Sequence, residues 1–317
     1  MTSHDRRPDR LATVDLGTNT VRLLVVESVD GAWRVLHQTQ RVTRLGEGQA
    51  AAGRLLPEPM RRTADAVAEF SRAARAWGAE TVRIVATSAV REAANRDEFV
   101  ARVETETGER VNVVSGEDEA RLTLKGVTSG LPGLGASFVL FDIGGGSTEF
   151  VLARGGAPEA AVSLRLGVVT LQEEWGERGP VRWERFARMR EHVERRLAEE
   201  VPAGILAADV GELVGTAGTV TTLAALDLEL PAYDAARVHG HRLRRATVER
   251  LLARLGALGV DERARLPCLE PGRADVIIPG IGICLATMTC FHRDTLVVSD
   301  RGLREGILCE LLEGVER

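Results

Sequence analysis

Two distant stretches of the chain are written in one grammar, VDLGTNTVRLLVVE at 14–27 and FDIGGGSTEFVLAR at 141–154. Asp15 matches Asp142, Gly17 matches Gly144 and Thr20 matches Ser147, and an apolar run follows each. Each copy predicts a strand, a tight turn of Gly, Thr and Ser, and a second strand. An aspartate closes the first strand of each. Glycines suit a turn of positive φ and bring bare N–H groups close to a ligand, and the hydroxyls add donors. Such a turn can wrap phosphate oxygens, and the aspartate beside it can hold Mg²⁺ directly or through water. One Gly-rich hairpin is more often only a turn. Two at matching places in a repeated unit predict duplicated α/β domains facing each other, each offering a phosphate-binding hairpin to one cleft.

A third loop fits the same plan. ELVGTAGTVTTLAAL (212–226) predicts a short strand, a G-T-A-G-T turn and a helix. Amides at a helix N-terminus favour anions, although a helix start with small packing residues reads equally well. VRIVATSAVREA (82–93) predicts a strand that ends at Thr87-Ser88, with Arg91 just past its carboxyl end, the usual ligand side of an α/β sheet. An arginine fork suits a phosphate; alone, Arg91 would read as a loop arginine facing solvent. Asn95 and Glu98 form a plausible capping pair for a helix over 96–107.

VNVVSGEDEARLTLKGV (111–127) predicts a strand and then a helix with Glu117, Asp118 and Glu119 in its first turn. Acids there complement the helix dipole without doing chemistry, and spacing does not say which, if any, is a base. The segments 182–201 and 247–258 predict amphipathic helices. Residues 273–292 predict a mostly buried helix interrupted at Pro279-Gly280, and 295–315 a strand, a turn at 300–302 and a closing helix. His239 and His241 are one residue apart without further ligands, a spacing more often structural than metal-binding.

Composition narrows the class. The 317 residues allow one large or two medium domains, and 44% hydrophobic residues can fill real cores. Net charge is −5 with no basic stripe, which argues against nucleic acid as a partner. Cys268, Cys284, Cys290 and Cys309 lie far apart, so free thiols in a reducing cytosol are expected rather than disulfides or zinc. The N-terminus has no apolar core of a secretory signal. The longest apolar run, 276–290, is short of a bilayer span. A soluble, cytoplasmic protein without a membrane partner is expected.

Taken in order, DLGTNTVRLLV, TSAVREA, SGEDEARL, DIGGGSTEFV, GTAGT, RADVIIPG and SDRGLREGIL make the sequence resemble the exopolyphosphatase / guanosine pentaphosphate phosphohydrolase family of the actin–sugar kinase–Hsp70 superfamily. The resemblance spans almost the whole chain. It implies two ribonuclease-H-like (actin-like ATPase) domains around an interdomain cleft: 1–124 with 300–317, and 125–299. Longer relatives carry extra C-terminal helical domains for which this chain has no room, which implies a preference for short polyphosphate.

The resemblance also assigns roles. Glu119 matches the family's catalytic glutamate, and Arg91 the arginine of its Thr-Ser-x-x-Arg segment. Asp142 with Gly144, Gly145, Gly146, Ser147 and Thr148 matches the phosphate and Mg²⁺ loop, and Glu149 the second acid after it. Asp15, Gly17, Thr18, Asn19 and Thr20, with Arg22 on the following strand, match the first phosphate loop; residues 18–20 stand where serines are common. Gly215, Thr216, Gly218 and Thr219 belong to the third loop. The implied reaction is hydrolysis of a terminal phosphoanhydride of polyphosphate or of the pentaphosphate pppGpp. Mg²⁺ or another divalent cation would sit on Asp142 and Glu149, and Glu119 would ready a water. A pppGpp 5′-phosphohydrolase and a (p)ppGpp-binding sensor with little turnover remain open, as does a homodimer; a sugar or acetate kinase fits less well.

Overall fold

A computed structural model describes residues 9–29 and 32–315. The first eight residues, part of the stretch expected to lack a secretory signal, lie outside the described residues. The chain divides into two compact units, Met1–Ser115 with Leu303–Arg317, and Gly116–Gly302. The boundary expected at 124 falls inside the helix Gly116–Gly130, which belongs whole to the second unit.

In the first unit, β1 (Asp9–Leu16), β2 (Thr20–Val29) and β3 (Ala32–Val42) form an antiparallel meander, and β4 (Thr81–Ala86) and β5 (Val111–Val113) join it in parallel. The order is β3-β2-β1-β4-β5. In the second unit, β6 (Ser137–Ile143), β7 (Thr148–Arg154) and β8 (Ala157–Leu164) form the meander, followed by β9 (Glu212–Thr216), β10 (Arg242–Arg244) and β11 (Thr295–Val298). The order β8-β7-β6-β9-β11 repeats that of the first sheet, with β10 added antiparallel at the β11 edge. The echo in the sequence is thus a repeat of topology. The crossovers from the meander to the parallel strands carry helices, as parallel pairing requires.

Alternation along the strands assigns the faces. Ala12, Val14 and Leu16 of β1 point into a core with Met60, Ala64, Val67 and Phe70 of the helix Pro57–Ala76, residues spaced for one helical stripe. Leu11 faces the other way and packs with Leu24, Val26, Leu308 and Leu311, so the closing helix Leu303–Val315 covers that side. The second sheet follows the same rule. Val139, Phe141 and Ile143 join the larger core, where Phe150 lies 6.4 Å from Phe141 and 5.9 Å from Phe291 between ring centroids. Each such ring withdrawn from water stabilises the unit by about 1.5–3 kcal/mol. Phe138, Leu140, Val151 and Ala153 face Ala120, Leu124 and Val127 of the helix Gly116–Gly130.

Two local expectations are corrected. The helix Ile277–Cys290 runs through Pro279-Gly280 without a break. Pro279 sits in its first turn, where a backbone N–H has no helical partner to lose. The helix Arg96–Thr107 begins where expected, but Asn95 does not cap it with its side chain. Its amide is occupied instead by the backbone of Leu55, accepting from Leu55 N at 2.9 Å and donating to Leu55 O at 3.2 Å. The four cysteines are free, and burial pushes the Cys284 thiol up to about 12. Among the described residues no helix is long and apolar enough to cross a membrane.

Candidate functional site

In the first unit the β1–β2 hairpin closes with Gly17 N–H donating to Thr20 O at 3.1 Å. Register places Asp15 opposite Arg22, and their charged groups come within 3.8 Å. Both lie on the sheet face covered by Leu303–Val315. The first turn of that helix supplies two groups that the sequence alone did not single out, Arg304 and Glu305, paired at 2.7 Å. Thr13 Oγ1 fixes the turn by donating to Arg304 O at 3.3 Å. Burial pushes the Asp15 carboxyl above the usual carboxylate range; Arg22 and Arg304 pull it back down, and Glu305 adds to the rise.

The second hairpin has the same closure, Gly144 N–H to Ser147 O at 2.9 Å, and a different partner for its aspartate. Asp142 stands opposite Glu149. Side chains of directly opposed residues lie about 4.5–5.5 Å apart at Cβ on one face, and like charges there repel. Strand alternation puts this carboxylate pair on the face covered by the helix Gly116–Gly130, with the buried Glu119 in the first turn of that helix. Gly116 lies over Ser163 so closely that a Cβ on it would stand 2.5 Å from Ser163 Cβ. Ser163, opposite Glu149 on β8, donates to Glu149 Oε1 at 2.7 Å. The helix start, the hydroxyl and the carboxylate pair therefore occupy one end of one sheet.

The turn glycines are not in the left-handed region: Gly17, Gly144, Gly145 and Gly146 are absent from the positive-φ set of the described residues. Their role is spatial. Val168 N–H donates to Gly144 O at 3.1 Å and Val169 N–H to Gly145 O at 2.8 Å. A trans peptide sends its C=O and N–H in opposite directions. The N–H groups of Gly145 and Gly146 consequently point away from this brace, and neither meets a backbone acceptor among the described residues. Gly167 makes the approach possible, since a Cβ there would sit 2.2 Å from Gly145 O. Thr148 Oγ1, donating to Leu166 O at 2.5 Å, is tied to the same brace.

The first hairpin is braced likewise. Gly46 N–H donates to Thr18 O at 2.9 Å, and the amides of Thr43 and Arg44 donate to Asn19 O at 3.0 and 2.9 Å. Arg62 holds this strap through the carbonyls of Thr43 and Arg44. Gln49 Nε2 links it to Ala89 O at 2.7 Å, on the short helix Ser88–Glu92. Arg91 lies on that helix and not in a solvent-facing loop, donating to Val114 O at 3.2 Å and to Glu92 Oε1 at 3.4 Å. Buried Asn19 has one side-chain amide atom, assigned as Oδ1, without a partner among the described residues. A flip exchanges it for the NH₂ donor.

The third loop passes from β9 directly into the helix Ala217–Asp227, with Ala217 at φ 69°. A left-handed alanine is strained and marks an over-determined turn. Thr216 Oγ1 is engaged by the carbonyls of Ser299 (3.0 Å) and Arg301 (2.9 Å), so it anchors the turn. Gly218 carries the Arg273 guanidinium against its Cα, where a Cβ would meet Nη1 at 1.5 Å, and Glu270 holds Arg273 at 3.2 Å. Thr219 packs on Gly280. Arg273 stood in a quoted motif with no role, and only the fold brings it to this loop. His239 accepts from Asp300 N at 3.1 Å through Nδ1, which leaves Nε2 to donate to Gly130 O at 2.9 Å. His241 Nε2 contacts Asp227 Oδ2 at 2.8 Å; the two histidines serve separate contacts.

Among the described residues no group of three or more His, Cys, Asp or Glu is placed to hold a metal ion. Two opposed carboxylates still suit Mg²⁺, which keeps most of its waters and takes one or two carboxylates plus substrate phosphates. Asp142 and Glu149 are the residues that fit it.

A family model described as the Ppx/GppA phosphatase family matches residues 24–314. The chain is 36% identical over 319 residues to exopolyphosphatase 2 of Mycobacterium tuberculosis, covering 95% of this chain and 98% of that protein. It is similar to the crystal structure of the Aquifex aeolicus Ppx/GppA family member, with TM-score 0.82, 34% identity, and coverage of 98% and 99%. It is also similar to the crystal structure of an exopolyphosphatase from Cytophaga hutchinsonii, with TM-score 0.89, 26% identity, and coverage of 96% and 98%.

Two outcomes follow from the bracing and the burial. Gly167→Ala should lower unfolding free energy by about 1–3 kcal/mol, the usual range for overpacking, and speed hydrogen exchange at the Val168 and Val169 amides. Unchanged exchange there would remove the brace. Asp15 binds its proton more tightly folded than unfolded, so its ionisation lowers stability as pH rises from the ordinary carboxylate range through its raised folded value. Asp15→Asn should lack this decline, and its stability relative to the parent should grow across that window in urea titrations. Parallel curves would show that Asp15 titrates normally.

Proposed function

The chain belongs to the Ppx/GppA phosphatase family, and from that premise we propose that it is an exopolyphosphatase, hydrolysing the terminal phosphoanhydride of inorganic polyphosphate with a divalent cation, Mg²⁺ first. The observation that carries the reading is the contrast between the duplicated hairpins: Asp142 faces a carboxylate and Asp15 faces an arginine. One hairpin suits a cation and the other suits phosphate oxygens. The names of the exopolyphosphatases to which the chain is similar support the substrate.

In the mechanism, the amides of Gly145 and Gly146 and the hydroxyl of Ser147 donate to phosphate oxygens in the second unit. In the first unit the Asn19 amide, Thr18, Thr20, Arg22 and Arg91 do the same work. Arg273 adds positive charge at the Gly215–Thr219 loop. Asp142 and Glu149 would hold the cation, which when bound neutralises charge on phosphate oxygens so that water can approach a polyanion. Ser163 keeps the Glu149 carboxylate turned. Glu119 orients a water and takes its proton. Positioning and charge stabilisation supply most of the acceleration, as in other phosphoryl transfers. A net charge of −5 does not oppose a polyanionic substrate, because local arginines and amides set the field at the site. Free thiols fit the reducing cytosol.

The decisive experiment is phosphate release from short polyphosphate, long polyphosphate and pppGpp, each with Mg²⁺ and with chelator. Polyphosphate, short chains foremost, should be cleaved only with the cation. Release from pppGpp alone would make the chain a pppGpp phosphohydrolase, and binding without release would make it a sensor. In the same assay Glu119→Gln should lower release about 100- to 10,000-fold, the span of general-base catalysis, while polyphosphate binding persists. Asp142→Asn should raise the Mg²⁺ needed for half-maximal rate about tenfold or more. A parental rate in Glu119→Gln would end the base assignment.

A further inference from the structure

The second unit holds a cavity of about 30 Å³ lined by residues of the helices Val168–Trp175, Trp183–Glu200 and Ile277–Cys290. That is room for one or two water-sized groups. Val181, Phe186, Met189, Ile278 and Pro279 give it apolar walls, and Gln172, Glu177, Arg182, Arg185 and Asp275 also line it. Arg263 also lines it and is 1% exposed.

Arg263 Nε donates to Leu255 O at 2.8 Å. Its Nη2 is buried with no partner among the described residues, and so is Nε1 of Trp175, which lines the same cavity. No lining residue leaves a buried side-chain acceptor unmatched among the described residues. The deficit is therefore of acceptors only. A water would satisfy the two donors but carry no charge to answer the buried guanidinium. Burial pulls the guanidinium below the usual arginine value, with Asp275 and Glu262 opposing, yet an arginine keeps its proton in a protein. Its charge must be met where it is. The nearby carboxylates are committed elsewhere: Glu262 accepts from Gly259 N at 2.7 Å, and Asp275 accepts from Val276 N at 3.1 Å. Both attract the Arg263 guanidinium, yet Nη2 has no hydrogen-bond partner among the described residues. Around the cavity three guanidinium groups, on Arg182, Arg185 and Arg263, face two carboxylates, on Glu177 and Asp275. Glu177 is taken by Arg182.

We propose that this cavity is an anion site that takes one chloride-sized monovalent anion on Arg263 Nη2 and Trp175 Nε1. An acceptor without protons answers the two orphaned donors and the excess positive charge together. None of the residues that line the cavity takes part in the phosphate chemistry proposed above, so the site is separate from that chemistry and stands without it.

The test follows the melting temperature of the full chain as sodium chloride replaces sodium gluconate at constant ionic strength, which keeps screening equal. Gluconate is the bulkier anion and serves as the control. Chloride should raise the melting temperature along a saturating curve, the signature of a ligand bound to the folded state. The rise should disappear in Arg263→Met and need more chloride in Trp175→Phe. Should Arg263→Met not fold, crystals soaked in bromide decide: an anomalous peak in contact with Arg263 Nη2 supports the site. Coincident chloride and gluconate curves for the parent, or a cavity that holds water without bromide, would overturn it.

Discussion

Cross-strand pairing decides what each duplicated hairpin can do. A strand closed by an aspartate and returned by a two-residue turn sets one position of the second strand directly opposite that carboxylate. Everything chemical depends on what stands there. Arg22 gives Asp15 a cationic neighbour at 3.8 Å, a charge arrangement that leaves guanidinium and backbone donors for an anion. Glu149 gives Asp142 a second carboxylate, an arrangement that repels itself until a cation arrives. On the proposed reading, the residue at one register position separates an anion cradle from a cation site while the backbone pattern stays the same.

The turns work because something stiff stands behind them. In both units the loop carbonyls are engaged by amides from a later segment, 43–46 in the first and 168–169 in the second. Peptide planarity then aims the opposite edges outward without further contacts. The glycines that matter most for this are partly outside the turns. Gly167 and Gly46 are the positions where a side chain would strike the loop, at 2.2 Å from Gly145 O and 2.3 Å from Thr18 Cγ2. A preorganised set of donors loses little on binding, which is how such sites gain strength.

Much of this was readable from residues alone. The repeat and the strand–turn–strand form follow from turn composition and period-2 alternation, because both are local. The acids Glu117 to Glu119 in one helix turn were visible, yet only packing of Ala120, Leu124 and Val127 on the sheet shows that Glu119 comes to the end where Asp142 and Glu149 stand. Arg304 and Glu305 were invisible as neighbours of Asp15, since Thr13 and Arg304 are 291 residues apart. No local pattern encodes such a contact. Positive φ was the wrong reason for the turn glycines, and Asn95 was the wrong cap. Each error came from applying a local rule where a distant backbone group, Val168 or Leu55, had a stronger claim.

The two sheets share one further device. In each, the face bearing the hairpin aspartate is covered by a single helix whose first turn carries acids, Glu305 in Leu303–Val315 and Glu119 in Gly116–Gly130. A helix N-terminus favours negative charge, so a carboxylate can be buried there at lower cost than elsewhere. The outcomes differ with the neighbour. Glu305 is matched by Arg304 at 2.7 Å, and of that pair Arg304 favours the charged Asp15 while Glu305 opposes it. Glu119 stands at the end of the sheet already negative from Asp142 and Glu149, where a cation would be drawn. The asymmetry of the hairpins is thereby repeated in the helices that cover them, and on the proposed reading one unit would hold both the cation and the base.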